Sequence, residues 1–174
     1  MKINNMKKLL LIIALLFFVA NNIFAQNNEM KARIEYEDAE TAYQNKEYEK
    51  AITYLTNAEK LLGKWTAKVS FLKIKALDVV INYSDEWNDN TAELYRQVKE
   101  YMKYADKNKA NVDVDKMRDI YDIEKKVNSS KQMMDETEAQ EFKNGKVAYE
   151  KENYEEAMNW FKKAADKGNT NAMS

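Results

Sequence analysis

Apolar residues recur at helical spacing along most of the chain. Ala51, Leu55 and Ala58 are separated by four and then three residues. Residues at that spacing lie on one face of an α-helix, so the pattern predicts a helix with one apolar face. The chain also has no Pro and only 3 Gly, the residues that the turns of a strand-rich fold favour. Pattern and composition together predict an all-α fold.

The same pattern occurs in two stretches, one near each end of the chain. Residues 42–59 read AYQNKEYEKAITYLTNAE, and residues 148–165 read AYEKENYEEAMNWFKKAA, at an offset of 106. In each stretch a helix follows a polar turn, QNKE or EKEN, which predicts an antiparallel helix hairpin. The offset is close to three periods of about 34 residues, a common repeat length. The identical positions are Ala42/Ala148, Tyr43/Tyr149, Tyr48/Tyr154, Glu49/Glu155, Ala51/Ala157 and Ala58/Ala164.

The sequence between the two copies predicts further helices. Apolar stripes over 66–83 and 90–107 predict a diverged hairpin, residues 65–107, whose second helix begins at a capping box of Asn90 and Glu93.

Residues 112–130 predict a linking helix that Asp113 caps. The polar run NSSKQ then predicts a break before the last hairpin, 134–174. With the first hairpin, 29–62, these elements amount to about seven helices.

The paired stretches resemble the tetratricopeptide repeat, in which small and Tyr residues on one helix meet an Ala, a bulky apolar residue and an Ala on the next. The last unit, AMNWFKKAADKGNTNAM, is similar to the Sel1-like variant, with its Trp-aromatic pair, double Ala and Lys-Gly-Asn turn. The resemblance covers 29–62 and 134–173 and implies hairpins stacked as a short right-handed α-solenoid over 26–174. No Pro closes either unit, and Glu35 and Glu141 stand near positions where the family often has a bulky aromatic.

The resemblance also implies a partner-binding surface. In such arrays an extended concave surface holds peptides or partner domains, and in this family it comes mostly from the first helix of each hairpin. Carried over to this chain, the surface includes three residues from each of the two copies: Arg33, Glu40, Tyr43, Lys146, Tyr149 and Glu150.

The first 25 residues have the pattern of a secretory signal peptide. Three lysines precede the apolar run LLLIIALLFFVA, and NNIFA then leads to Gln26. Because the run is shorter than the ~20 apolar residues of a spanning helix, we predict cleavage between Ala25 and Gln26. The alternative is an uncleaved membrane anchor. We expect an exported bacterial protein, in the periplasm or at the cell surface, that meets the membrane only through the transient signal peptide.

The composition argues against catalysis and against nucleic-acid binding. The chain has no His, the commonest general base and metal ligand, and no Cys. Beyond residue 25 it has 25 basic and 29 acidic residues, a net charge of −4, whereas nucleic-acid binding depends on neutralising phosphates. NVDVDK at 111–116 lacks the Gly and the closing Glu of a calcium loop. We expect no catalytic residue, no metal and no cofactor.

These features predict a non-catalytic interaction scaffold or adaptor of the cell envelope, which binds a peptide or partner domain. The alternative is the N-terminal adaptor part of a longer envelope enzyme whose catalytic domain lies beyond Ser174. The sequence after Gly168 reads as the start of another helix. We therefore expect the array to continue past Ser174, or its last hairpin to be covered by a partner or by self-association.

Overall fold

A computed structural model describes residues 27–85, 87–109 and 112–168, and these residues form six α-helices and no strand. This confirms the predicted all-α class. The chain divides into two compact units, Met1–Ala76 and Leu77–Ser174. Within the described part, no helix combines the length and the apolar character needed to cross a bilayer. The helices are α1 (27–44), α2 (Tyr48–Leu62), α3 (Ala67–Val80), α4 (Asp89–Lys107), α5 (Val114–Glu150) and α6 (Tyr154–Asp166).

The core of the first unit lies between α1, α2 and the first part of α3. Ala39 of α1 packs in the same cluster as Leu55 of α2. Ala42, three residues later on α1, packs with Ala51, four residues earlier on α2, so the two helices run antiparallel. The alanines allow close approach of the backbones, and Leu55 fills the space between them. Two clusters make up this core, one of Ala39, Leu55, Ala58 and Val69, the other of Ala42, Ala51 and Ala76.

The turn between α1 and α2 has a left-handed residue, Lys46, with φ 64. The Lys46 N–H donates to the Tyr43 carbonyl at 3.0 Å, and the Glu47 N–H donates to the Ala42 carbonyl at 2.9 Å. Across the turn the rings of Tyr43 and Tyr48 meet edge to face, with centroids 5.3 Å apart. The hydrogen bonds satisfy carbonyls at the end of α1 that have no partner within the helix.

The turn between α5 and α6 has the same geometry at the corresponding positions. Glu152 is left-handed, with φ 59. Its N–H donates to the Tyr149 carbonyl at 2.9 Å, and the Asn153 N–H donates to the Ala148 carbonyl at 3.0 Å. The rings of Tyr149 and Tyr154 also meet edge to face, at 5.5 Å. Each of these residues lies 106 positions after its counterpart in the first turn.

The second unit is built on α5, which α4 contacts along its first part and α6 along its last part. Lys99 of α4 and Glu124 of α5 form an ion pair at 3.3 Å. Phe161 of α6 packs beside Phe142 of α5, with ring centroids 5.6 Å apart. The buried apolar residues of α4 and α5 are Leu94, Val98, Tyr101, Ala105, Ile120, Ile123, Val127 and Ala148.

The predicted break at NSSKQ is wrong, because α5 is a single helix of 37 residues. Ser129 lies inside it and donates from its hydroxyl to the Lys125 carbonyl at 3.0 Å. Ser130 is buried on the same face as Val127, and Gln132 pairs with Glu136 one turn on. These polar residues are compatible with a helix, since the segment contains neither Pro nor Gly. The predicted linking helix and the first helix of the last hairpin are therefore continuous, so residues 27–168, where described, form six helices instead of the expected seven.

One predicted helix cap is confirmed and one is corrected. Asp113 caps α5, since its side chain accepts hydrogen bonds from two backbone N–H groups of the first turn. At α4 the cap is Asn88 instead of Asn90, because the Asn88 side chain accepts from the N–H groups of Asn90 and Thr91 at 3.0 and 3.1 Å. Glu93 instead forms an ion pair at 2.7 Å with Arg96, three residues further along α4.

Candidate functional site

Three of the predicted partner-binding residues lie on α1, each engaged by a different neighbour. Exposed Arg33 donates from Nε to Glu37 at 2.9 Å. Exposed Glu40 forms a hydrogen bond with the hydroxyl of Tyr36, whose pKa is raised above its usual value first by burial and then by this bond. Tyr43 is partly buried against the cluster that holds α3 to the hairpin. Arg33 and Glu40 are thus exposed although each is hydrogen-bonded within α1, whereas Tyr43 is partly buried.

The other three predicted residues lie at the end of α5. Lys146, Tyr149 and Glu150 are all exposed, Tyr149 to 60%. The Lys146 ammonium lies 4.9 Å from the centroid of the Phe142 ring, within cation–π range. Lys146 and Glu150 are four residues apart, so they lie on one side of the helix. This surface presents a cation, an aromatic ring and an anion within about one turn.

The second unit also contains an open groove of about 850 Å³, which none of the six predicted residues lines. Its walls come from the segment between α3 and α4, the first turn of α4, the middle of α5 and the end of α6. Prominent among its lining residues are Tyr83, Trp87, Met133, Met134, Glu141 and Lys167.

Part of the groove lining is aromatic or apolar, although polar residues such as Asp85 and Asn88 lie beside Trp87 in the sequence and also line the groove. The Trp87 ring packs edge to face against Tyr95, with centroids 5.9 Å apart, which helps to hold the ring in place. Met133 is 52% exposed. Methionine is unbranched and polarizable, so Met133 and Met134 can adapt to side chains of different shapes. The side chains of Trp87, Met133 and Met134 offer contacts to an apolar or aromatic side chain of a ligand.

Tyr83 lines the groove from a fixed position. Its hydroxyl donates to Asp78 at 2.7 Å, and the Lys126 ammonium contacts the same carboxylate at 2.9 Å. Burial, and then the hydrogen bond to Asp78, raises the pKa of Tyr83 far above its usual value. The phenol therefore stays protonated and anchored through the physiological range.

The groove lining also contains an ion pair between α5 and the end of α6. Glu141 accepts from Lys167 at 2.7 Å through Oε1, and both side chains are largely buried, at 12% and 25% exposure. Its second oxygen, Oε2, is buried and lacks a hydrogen-bond partner among the described residues. A buried acceptor without a donor costs about 1–3 kcal/mol. A ligand N–H group that reached Oε2 would recover part of that energy.

The groove can therefore hold a segment that combines an apolar side chain with N–H donors, as a peptide does. Within the described part of the chain, no three side chains of the metal-ligating types converge on one point.

Sequence reasoning missed the groove residues. Trp87 belongs to SDEWNDN, which reads as a loop, and Met133 and Met134 follow the run that was expected to break the helix. The local feature that could have indicated the groove was the pair of adjacent methionines after a polar stretch. Only the packing of α6 beside α5 brings Glu141 and Lys167 together, 26 residues apart in sequence. The predicted cleavage residues Ala25 and Gln26 lie outside the described residues.

No protein-family model matches the chain, and no curated protein or solved structure is significantly similar to it. The resemblance to the tetratricopeptide and Sel1-like repeats therefore remains a prediction from the residues quoted above.

Proposed function

We propose that this chain is a non-catalytic adaptor of the bacterial cell envelope that binds a peptide or a partner domain. The observation that carries the proposal is the open groove of the second unit, whose lining combines Trp87 and two methionines with a buried carboxylate oxygen that lacks a partner among the described residues. Ligand sites typically pair apolar walls with a few placed polar groups. Without His or Cys in the chain, binding is a simpler role for this groove than chemistry.

The two hairpins support a repeat architecture within the same proposal. Their turns share a left-handed residue, two backbone hydrogen bonds and an edge-to-face tyrosine pair at positions related by the same offset. We propose that both are units of a tetratricopeptide-like array of stacked hairpins. Arrays of this kind bind partners through extended surfaces, so Arg33, Glu40 and Tyr43, with Lys146, Tyr149 and Glu150, stay candidate contacts.

The proposed binding mode places an apolar side chain of the ligand between Trp87 and Met133. A backbone or side-chain N–H group of the same segment then donates to the carboxylate of Glu141, whose side chain must turn to expose the buried Oε2. Burial of one large apolar side chain contributes about 1.5–3 kcal/mol, and the hydrogen bond to a charged acceptor adds about 1.5–3 kcal/mol.

Site-specific photo-crosslinking in the native host tests this mode. A photoreactive phenylalanine analogue replaces Met133 in the groove, and the matched control carries it at Tyr121, which is on the same helix and 51% exposed. We expect one discrete protein adduct from position 133 and none from position 121. Trp87→Ala should reduce the adduct several-fold, because it removes the apolar wall.

Adducts that are the same from both positions, or absent from both, would argue against the groove. Arg33→Glu and Lys146→Glu are then introduced into the protein that carries the photoreactive residue at position 133. A weaker adduct would show that the predicted first-helix residues belong to the binding surface. Cell location is tested separately by mass spectrometry of the protein from the periplasm. A chain that begins at Gln26 supports cleavage and export, whereas an intact N-terminus in the membrane fraction favours the anchor.

A further inference from the structure

The last hairpin leaves open a face that is covered in the first hairpin. In the first unit, Tyr43, Ile52 and Tyr54 are partly buried against the cluster in which Ala76 of α3 packs between Ala42 and Ala51. The helix α3 thus covers this side of the hairpin. Its small Ala76 side chain lies over the two alanines, and the larger residues pack around it.

The counterparts in the second unit are present, but no helix among the described residues covers them. Ala148 and Ala157 are buried, as Ala42 and Ala51 are. Around them Tyr149 and Tyr154 are each 60% exposed and Met158 is 69% exposed. We call Tyr149, Tyr154 and Met158 the open face. Their first-unit counterparts, Tyr43, Tyr48 and Ile52, are all partly buried.

The pattern on α3 shows what kind of helix suits such a face. Val69, Leu72 and Ala76 lie at i, i+3 and i+7, so they form one stripe, and all three pack into the clusters of the first unit. The second unit offers equivalent positions, since Gly145, Phe161 and Ala164 replace Ala39, Leu55 and Ala58. The second hairpin therefore repeats the residue pattern against which the α3 stripe packs in the first unit.

We propose that the open face binds an amphipathic helix of a partner protein that presents a small residue over Ala148 and Ala157. A second copy of the chain is a poor occupant, because the stripe of α3 is already buried in its own unit. Two open faces placed against each other would set bulky side chains against bulky side chains, with no small residue to fit between them. Exposed residues of both signs border the face, Glu150 and Glu155 as well as Lys146 and Lys162, so charged residues of both signs along the edges of the helix can pair with them.

This site is independent of the proposed groove, since the open face shares no residue with the groove lining, although Tyr149 is also a candidate contact of the proposed array surface. Either proposal can fail while the other holds.

Peptide binding to the full-length protein tests the open face. The probe is a fluorescent peptide with the α3 sequence AKVSFLKIKALDVV, held helical by a side-chain lactam bridge. We expect saturable binding that Met158→Glu weakens about tenfold or more, because the helix would cover and desolvate the carboxylate. The matched control is Val147→Glu, an exposed position about 200° around α5 from Tyr149, and it should leave the affinity unchanged.

Circular dichroism first shows that both variants keep their helix content, as expected for exposed positions. The proposal is overturned if the peptide does not bind the wild type, or if it binds both variants equally. It is also overturned if Trp87→Ala abolishes binding, since the peptide would then occupy the groove. Sedimentation then measures the oligomeric state of the wild type and of Met158→Glu. A dimer that this substitution dissociates would assign the face to a second copy.

Discussion

The ring of Phe161 occupies the space that a side chain at Gly145 would need. A Cβ atom at Gly145 would lie 2.5 Å from Cδ1 of Phe161, which is well inside van der Waals contact. In the first hairpin the corresponding residues are Ala39 and Leu55, which pack together in one core cluster. The two hairpins thus reach similar close packing with different pairs, Gly with Phe in one and Ala with Leu in the other.

We predict that Gly145→Ala lowers the free energy of unfolding by about 1 kcal/mol. Overpacking against Phe161 costs about 1–3 kcal/mol, and the higher helix propensity of Ala returns about 1 kcal/mol. In a Phe161→Leu background the clash is gone, so Gly145→Ala should instead stabilise that variant by about 1 kcal/mol. Urea unfolding of the four proteins measures the coupling. The same loss in both backgrounds would show that this contact does not require the glycine.

Replacing the left-handed turn residues by glycine should stabilise both hairpins. Lys46 and Glu152 have positive φ, which costs a residue with a Cβ atom about 1–2 kcal/mol, part of which is offset by the greater freedom of glycine in the unfolded chain. We expect Lys46→Gly and Glu152→Gly each to raise the free energy of unfolding by about 0.5–1 kcal/mol. Lys46→Ala and Glu152→Ala are the controls and should give no gain in thermal unfolding. A gain of the same size from alanine would attribute the effect to the lost side chain.

Removing one partner of the ion pair between Lys73 and Glu59 should lower the free energy of unfolding much more than breaking a surface ion pair does. Lys73 is only 3% exposed, and its ammonium lies 2.7 Å from the Glu59 carboxylate. Lys73→Met takes a cation away from a largely buried anion, so we expect a loss of about 2–4 kcal/mol in urea unfolding. Adding Glu59→Leu should restore most of it. Arg33→Ala, which breaks an exposed pair with Glu37, should cost below about 0.5 kcal/mol.

If the double variant is no more stable than Lys73→Met alone, the loss arises from packing of the lysine stem instead of from charge.

Alkaline pH should destabilise the fold partly through Tyr83. Burial and then the bond to Asp78 raise the pKa of Tyr83 above its ordinary value of 10.0. Above pH 10 the unfolded chain loses this phenolic proton while the folded chain keeps it, so stability present below pH 10 falls as the pH rises. In Tyr83→Phe the fall between pH 10 and 11 should be shallower, with a loss of about 1 kcal/mol at neutral pH from the missing hydrogen bond.

Tyr36→Phe should flatten the same slope, because burial and the bond to Glu40 raise the pKa of Tyr36 in the same direction. Urea midpoints between pH 7 and 11 provide the measurement. An unchanged alkaline slope in both variants would mean that neither phenol is protected in the folded state.

The elements that the residue pattern predicted correctly are local ones. The stripe of Ala51, Leu55 and Ala58 is fully buried, the polar turns join the helices where expected, and Asp113 caps α5. Each of these features depends on residues a few positions apart, through the helical period, the intrinsic preference for helix or a side chain that reaches a nearby N–H group. Such interactions can be read from a short stretch of sequence without knowing what it packs against.

The features that the pattern missed depend on residues far apart in the chain. NSSKQ continues α5 because Ser130 is buried on the face of that helix that carries Val127, although its polarity favours a loop. The groove exists because α6 folds back beside α5 and brings Lys167 to Glu141. The exposure of Tyr149 and Met158, in contrast to Tyr43 and Ile52, depends on whether a third helix lies over the hairpin. Burial is a property of the packed chain, so two stretches with the same apolar pattern can end in different surroundings.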